Sequence, residues 1–550
     1  MKRPKPLEVT REDIQALRER ARRGELSVSA QDAQLIESLA ETVVVLSEAV
    51  EKKGTSIRRL LRLLFGSKTE SKDRLFGKKK DDDDPPGSAT AGEGGCESPK
   101  PKAKGHGRNG AAAYTGAERV AVKHPDLGAG DPCPECDRGR LRELDPGRLV
   151  HVRAQAPVTA TIYECERLRC NTCGKVFTAP APANVALRKY DRSVGILIAL
   201  LKYGSGMPFA RLENLERMAG IPLPASVQWE QVAETASPFW PVLDALETHA
   251  AQGQVVHNDD TGMKVLELMK QRDESDAAET LSASNGQAGG KRQRRGIFTS
   301  GIVSQVGAHR VALFRTGHRH AGENLADVLA RRAADAGKPI QMCDALSRNL
   351  PKEFEVLLAN CLGHARREFV DLTSDFPEPC RYVIDQLAEV YKNDALTREQ
   401  NMDPSTRLAY HRQYSRKPMD DLEDWCHAQL DERIVEPNSN LGKAIQYMIR
   451  HWDALTLFLE QPGAPLDNNI CERALKKAIL HRKNSMFYKT INGARVGDLF
   501  MSLIHTCHLN GVNALDYLGA LAEHSGRLAV APKKWLPWTY RDTAAALAEP

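Results

Sequence analysis

Residues 255–267 read VVHNDDTGMKVLE, a short β-branched run that closes on two aspartates and then meets a glycine. Bounded in this way, the run reads as a strand over Gln254–Asp259. IQMCDALSRN at 340–349 has the same form and ends a strand over Pro339–Asp344 on Asp344. LDNNICERALKKAILHRKN at 466–484 has the period of a helix and carries Glu472 beside Arg473, Lys476, Lys477, Arg482 and Lys483. Carboxylates brought together from two strands and a helix can hold two Mg²⁺ ions about 4 Å apart, which clamps the attacking and leaving oxygens of a phosphodiester. Spacing alone leaves the assignment open. Period two puts Asp259 and Asp260 on opposite faces without choosing between them, and Glu368 and Asp371 are equally eligible.

Outward from Asp259, Gly296–Gln305 and His309–Thr316 read as the second and third strands. Glu323–Ala336 reads as a helix, and Glu355–Asn360 as a short strand after Pro339–Asp344. Three strands, a helix and a further strand is the opening order of a ribonuclease-H-like fold. Residues 345–471 are too many for one connection, and two helical stripes fill them. The first is Val383, Leu387 and Val390; the second is Leu441, Ile445, Met448, Trp452, Leu455 and Leu459. The expectation is a helical insert over about 374–460 within a catalytic domain at 251–500, followed by a helical tail at 501–550. Asp467 is the expected N-cap of the Glu472 helix, with Ile470, Ala474 and Ala478 as its buried stripe. Asn468, Glu472 and Lys476 share another face.

The first half carries different signals. Residues 36–64 show a heptad, with Ile36, Val43, Val50, Ile57 and Leu64 at a and Leu39, Leu46 and Leu60 at d. That pattern favours a two-stranded coil, so 1–76 is expected to dimerise or bind DNA through a helix. Residues 77–125 open with low-complexity Gly, Pro, Ser, Lys and Asp and read as a linker. In 126–182, Cys133, Cys136, Cys170 and Cys173 form two C-x-x-C knuckles, the four thiolates of a structural zinc ribbon, with Cys165 as a substitute ligand. Residues 183–250 are helical. Phe209–Ala219, Gly220 and a helix opening near Ser226, its expected N-cap, draw the outline of a helix-turn-helix, which is equally that of any helical hairpin.

Composition sets limits. A net charge of +5 in 550 residues means that DNA affinity must come from local basic clusters. The longest apolar stretch, Val194–Leu201, is far short of the ~18 residues of a membrane span. Twelve cysteines without an apolar leader point to reduced or metal-bound thiols in the cytoplasm.

Several strings together carry a resemblance: FGSKTES at 65–71, the paired knuckles, CLGHARREFVDL at 361–372, LDNNICERALKKAILHRKNSMF at 466–487 and SLIHTCHLNGVNALDYL at 502–518. The chain resembles the large transposase of the insertion sequence 66 family, a bacterial DDE transposase, over nearly its whole length. The resemblance implies a multidomain α/β protein whose ribonuclease-H-like core uses Asp259, Asp344 and Glu472 as catalytic, magnesium-binding residues, with Mn²⁺ as a substitute metal. It selects Asp259 over Asp260 through the His, any, Asp, acidic, Thr pattern of HNDDT. Gly262 stands where the family has Pro, and Ala345 where it has Gly, with one extra residue before Asp344. His364, Arg366, Arg367, Arg473, Lys476, Lys477, Arg482 and Lys483 are the expected phosphate contacts. The implied partners are transposon ends, target DNA, a second copy of the chain or more, and small accessory proteins of the same element, at the nucleoid and away from membranes. A non-catalytic repressor derived from a transposase is the alternative; three placed carboxylates argue against it.

Overall fold

Runs of alternating and β-branched residues build a five-stranded sheet in the order β5–β4–β3–β6–β7. Its strands are β3 Val255–Gly262, β4 Phe298–Val306, β5 His309–Gly317, β6 Ile340–Cys343 and β7 Leu357–Asn360. A separate antiparallel pair, β1 Arg167–Arg169 and β2 Val176–Thr178, precedes them. The computed structural model describes residues 129–131, 157–169, 176–180, 182, 189–272, 294 and 296–548. The heptad at 36–64, the linker at 77–125 and Cys133, Cys136, Cys170 and Cys173 lie outside the described residues. Strands β3, β4 and β5 form an antiparallel meander, whereas β6 runs parallel to β3 and β7 parallel to β6. A mixed sheet in this order with flanking helices is consistent with a ribonuclease-H-like fold.

The described residues pack as two units, the larger comprising 165–169, 176–180, 182, 189–215, 222–272, 294 and 296–548. In the smaller, the Val158 N–H donates to Oε1 of Glu216 at 3.3 Å, and burial raises the Glu216 pKa. After β1 and β2 come helices α1 Arg192–Ala199, α2 Phe209–Met218, α3 Ala225–Ala236 and α4 Trp240–Ala250. Helix α3 starts at Ala225, after Pro224, so Ser226 is not its cap. Glu213 on α2 takes that role instead, accepting the Ala225 N–H at 3.1 Å.

Helix α5 Ala321–Leu329 follows β5, and α6 Leu362–Val370 follows β7. Four helices come next: α7 Pro377–Glu399, α8 Pro404–Tyr414, α9 Arg416–Asp431 and α10 Asn440–Arg450. The apolar stripes of α7, α9 and α10 are buried with β6 and β7 in one core that joins Met342 and Ala359 to Phe369, Leu387, Leu422 and Met448. The chain then returns to the sheet as α11 Asn469–Ser485 and α12 Ile491–Leu509, and ends in α13 Ala514–Glu523 and α14 Tyr540–Ala548. No helix among the described residues is long and apolar enough to cross a membrane.

Strand β5 has no strand beyond it, and α12 satisfies its outer backbone groups. Asp498 Oδ2, Ser502 Oγ, Thr506 Oγ1 and Asn510 Oδ1, spaced four residues apart along α12 and its C-cap, accept the N–H groups of Thr316, Phe314, Ala312 and Arg310 at 2.7, 3.0, 3.1 and 3.1 Å. The spacing works because four helical residues advance about 6.0 Å and two strand residues about 6.7 Å. A helix thus covers an edge that would otherwise invite strand pairing. Burial pushes the Asp498 carboxyl up to about 7, against the two Thr316 hydrogen bonds.

Ser502→Ala and Thr506→Val each strand a buried β5 N–H and should cost about 1–3 kcal/mol in unfolding measurements. A carboxyl with a raised folded-state pKa gives stability at low pH that is lost as the pH climbs through that value. The thermal midpoint of the wild type should therefore fall, relative to Asp498→Asn, between about pH 4 and about pH 7, and level off above that.

Candidate active site

Asp259 lies in the middle of β3 rather than at its end, because the β3–β4 pairing runs on to Gly262 opposite Phe298. The polar pair Asp260 and Ser300 sustains that extension: Ser300 Oγ donates to Asp260 Oδ1 at 2.7 Å. Beyond His257, paired with Met342, the β3–β6 pairing stops and the sheet opens. Two residues further along each strand, that register brings Asp259 level with Asp344, which lies one residue past β6 on the same face. The loop carrying Asp344 is held from beneath. Asn349 Nδ2 donates to Asp344, and the Asn349 carbonyl accepts Asn258 Nδ2 and Gln341 Nε2, each at 2.7 Å.

The two aspartates that period two could not separate face different surroundings. Asp260 is buried on the α5 side, bound to Ser300 and to Nδ1 of His320 at 2.9 Å. Asp259 pairs across the strands with Gly301, so its side chain shares Gly301's face, which α11 covers. A Cβ at Gly301 would stand 2.9 Å from Leu475 Cγ and 3.5 Å from Cys471 Sγ, both on α11. Only glycine lets the helix approach this closely.

Asn468, fully buried at the start of α11, sets where that helix begins. Its Oδ1 pairs with His257 Nδ1 at 3.1 Å, its Nδ2 donates to the Asn258 carbonyl at 3.1 Å, and its N–H donates to Cys361 Sγ at 3.3 Å. Burial lowers the His257 pKa to about 4, and because Asn468 Oδ1 can only accept, the neutral ring carries its proton on Nδ1 and donates it to that oxygen. The expected face shared by Asn468, Glu472 and Lys476 is therefore split: Asn468 is interior and Lys476 exposed. Asp467 accepts only the Asn469 N–H, at 3.2 Å, and the helix buries Cys471, Ala474, Leu475, Ala478 and His481, while Ile470 is half-buried.

Glu472 enters from the first turn of α11. Burial, and then the charges of Asp344, Asp260 and Glu472, raise the Asp259 pKa to about 7, against the Asp260 N–H at 2.7 Å. Among the described residues no Lys or Arg forms an ion pair with Asp259 or Asp344. Among the described residues the ligand atoms of Asp259, Asp344 and Glu472 do not all lie within 4.8 Å of one another, but as oxygen donors they are of the kind that suits a hard divalent ion such as Mg²⁺. Of the expected phosphate contacts, Arg473, Lys476 and Lys483 are exposed, and His364, Arg366 and Arg367 are half-buried. Two others serve the fold: Lys477 donates to the Gly204 carbonyl at 3.0 Å, and Arg482 binds the Gly262 carbonyl and Thr261 Oγ1. Sequence reasoning missed Cys361, which buries its thiol between β7 and α6 near Glu472; burial pushes that thiol up to about 11.

Residues 190–496 match the Transposase IS66 family. The chain belongs to that family. Membership carries a general role in transposition and DNA recombination. The uncharacterized protein y4hP of Sinorhizobium fredii (strain NBRC 101917 / NGR234) is 24% identical over 452 residues, covering 78% of this chain and 76% of its own length. Uncharacterized proteins y4jD and y4qI of the same strain are 32% and 28% identical over 195 and 192 residues, covering 34% of this chain and 36% and 35% of their own lengths. The family match spans the sheet, its five strands and α11, and therefore Asp259, Asp344 and Glu472.

The docking of α11 gives a direct test. Gly301→Val should lower stability by about 1–3 kcal/mol through overpacking. Asn468→Ala should cost about 1–3 kcal/mol for each polar group it strands, read as a drop in thermal midpoint.

Proposed function

We propose that this chain is an active DDE transposase that cuts DNA at transposon ends and joins the freed ends to target DNA. The observation that carries the reading is the family match, which covers Asp259, Asp344 and Glu472, beside the exposed Arg473, Lys476 and Lys483 on the Glu472 helix. Asp259, Asp344 and Glu472 would hold two Mg²⁺ ions, with Mn²⁺ as a substitute. Bound there, the ions supply an activated water and charge neutralisation at the leaving 3′-oxygen.

The chain's own residues position and neutralise. Asn349 fixes the Asp344 carboxylate, and Asn468 and Gly301 fix the start and height of the Glu472 helix. Arg482, tied to Thr261 and Gly262, pins the far end of that helix to the strand carrying Asp259. Arg473, Lys476 and Lys483 would neutralise DNA phosphates along the exposed face of α11, with His364, Arg366 and Arg367 approaching from α6. Cleavage by water breaks the phosphodiester to leave a 3′-hydroxyl, which then attacks a target phosphate in line and displaces a second 3′-oxygen. No covalent enzyme intermediate is needed.

The remaining parts of the reading are assigned by family and sequence. Cys133, Cys136, Cys170 and Cys173 would bind a structural zinc ion, the heptad at 36–64 would join two copies, and residues 183–250 would contribute DNA contacts. Two transposon ends brought together imply a homodimer or larger assembly, acting with accessory proteins of the same element at the nucleoid.

Labelled DNA carrying the element's own ends, incubated with Mg²⁺ and the accessory proteins, tests this reading. Asp259→Asn, Asp344→Asn and Glu472→Gln should each reduce cleavage by about 10³-fold or more while leaving end binding intact. Wild type that binds the ends and never cuts would favour a repressor. Variants that cut normally would exclude these carboxylates as the site.

A further inference from the structure

Beside the proposed magnesium site lies a second set of donors of a different chemical kind. Ligand atoms of Cys361, His364 and Glu472 all lie within 4.8 Å of one another, and His364 Nδ1 is 3.8 Å from Glu472 Oε1. His364 Nδ1 is buried and has no hydrogen-bond partner among the described residues. Such a nitrogen costs free energy unless something else occupies it. The cysteine and histidine are three apart, where α6 begins: Cys361 is the N-cap and His364 lies one turn on. The Asn468 N–H donates to the sulfur at 3.3 Å, a contact that favours the thiolate and opposes the burial that raises the thiol's pKa.

We infer that Cys361, His364 and Glu472 form a binding site for Zn²⁺ or a similar thiophilic divalent ion, and that its occupation switches off the magnesium chemistry by capturing Glu472. The inhibitory half rests on the reading of Glu472 as a magnesium ligand; the binding half does not. Sulfur, imidazole nitrogen and one carboxylate oxygen suit zinc and not magnesium, which takes oxygen donors. Zinc–ligand bonds of about 2.0–2.3 Å put tetrahedral ligand atoms about 3.5 Å apart, so the three atoms need close by only about 1 Å. The fourth position is left for water. On binding, the Cys361 thiol proton passes to solvent and no redox step is involved. Glu472 then serves one ion or the other, so zinc and magnesium compete.

The test uses the full chain purified with zinc, so that any knuckle site is already filled, and titrates further Zn²⁺ in excess Mg²⁺. Wild type should bind one equivalent more than Cys361→Ser, whose hydroxyl can still accept the Asn468 N–H. Changes in the groups that merely orient metal ligands cost about 10–100-fold in affinity, so losing the thiolate should cost about 100-fold or more. Co²⁺ should give thiolate charge-transfer absorption in wild type that Cys361→Ser lacks. His364→Gln provides a second variant should Cys361→Ser not fold, judged by its thermal midpoint. Equal zinc stoichiometry and affinity in wild type and a folded variant would overturn the site. In the cleavage assay, zinc should inhibit wild type and spare Cys361→Ser; zinc binding without inhibition would overturn the switch. An extra zinc equivalent in a protein that never cleaves DNA would leave the binding site standing and count against the transposase reading alone.

Discussion

Burial of the Asn468 side chain against β3 is the constraint on which the site depends. One residue bonds to His257, Asn258 and Cys361, and so joins the central strand, the β7–α6 junction and the start of α11. None of these groups is left to water, so each lost partner would cost about 1–3 kcal/mol and the helix has no cheap alternative register. Four residues later stands Glu472. The absence of a side chain at Gly301 sets the height of the same helix above Asp259's neighbour on β4. Position along the strand and distance from the sheet are thus fixed by two residues that carry no charge.

The rest of the fold makes that seat rigid. Strands β3 and β6 supply the aspartates where the parallel pair ends, the place where open sheets generally expose functional groups. At the far edge, the ladder from Asp498 to Asn510 replaces a missing strand and holds β5. On the other side, α7, α9 and α10 share a core with β6 and β7, so the long excursion before Glu472 packs against the strand that leads to Asp344. Within those helices Asp394 is fully buried and paired with Arg398 and with Arg407 at 2.7 Å, which ties α7 to α8.

The sheet was legible because its strands are runs of alternating or β-branched residues, and all five appear near their expected positions. Strand ends were less legible. Polar residues such as Asp260 and Thr261 look like a turn, yet they continue β3 because Ser300 and Thr299 oppose them. The choice between Asp259 and Asp260 was invisible to periodicity; it rests on what lies over each face, Gly301 and α11 on one and His320 on the other. Helix caps misled for a related reason. Asp467 and Ser226 have capping side chains, but Asn468 and Glu213 reach the decisive groups through tertiary contacts. Ser502, Thr506 and Asn510 gave a visible spacing of four, but nothing in the sequence says that a strand edge lies beneath them.

The most direct measurement is anomalous diffraction from crystals of the full chain bound to transposon-end DNA and Mn²⁺. The account predicts manganese peaks bounded by the carboxylates of Asp259, Asp344 and Glu472, with Asp260 still bound to Ser300 and His320. Manganese held by Asp260, or no peak among the three carboxylates while DNA occupies the face of α11, would contradict it.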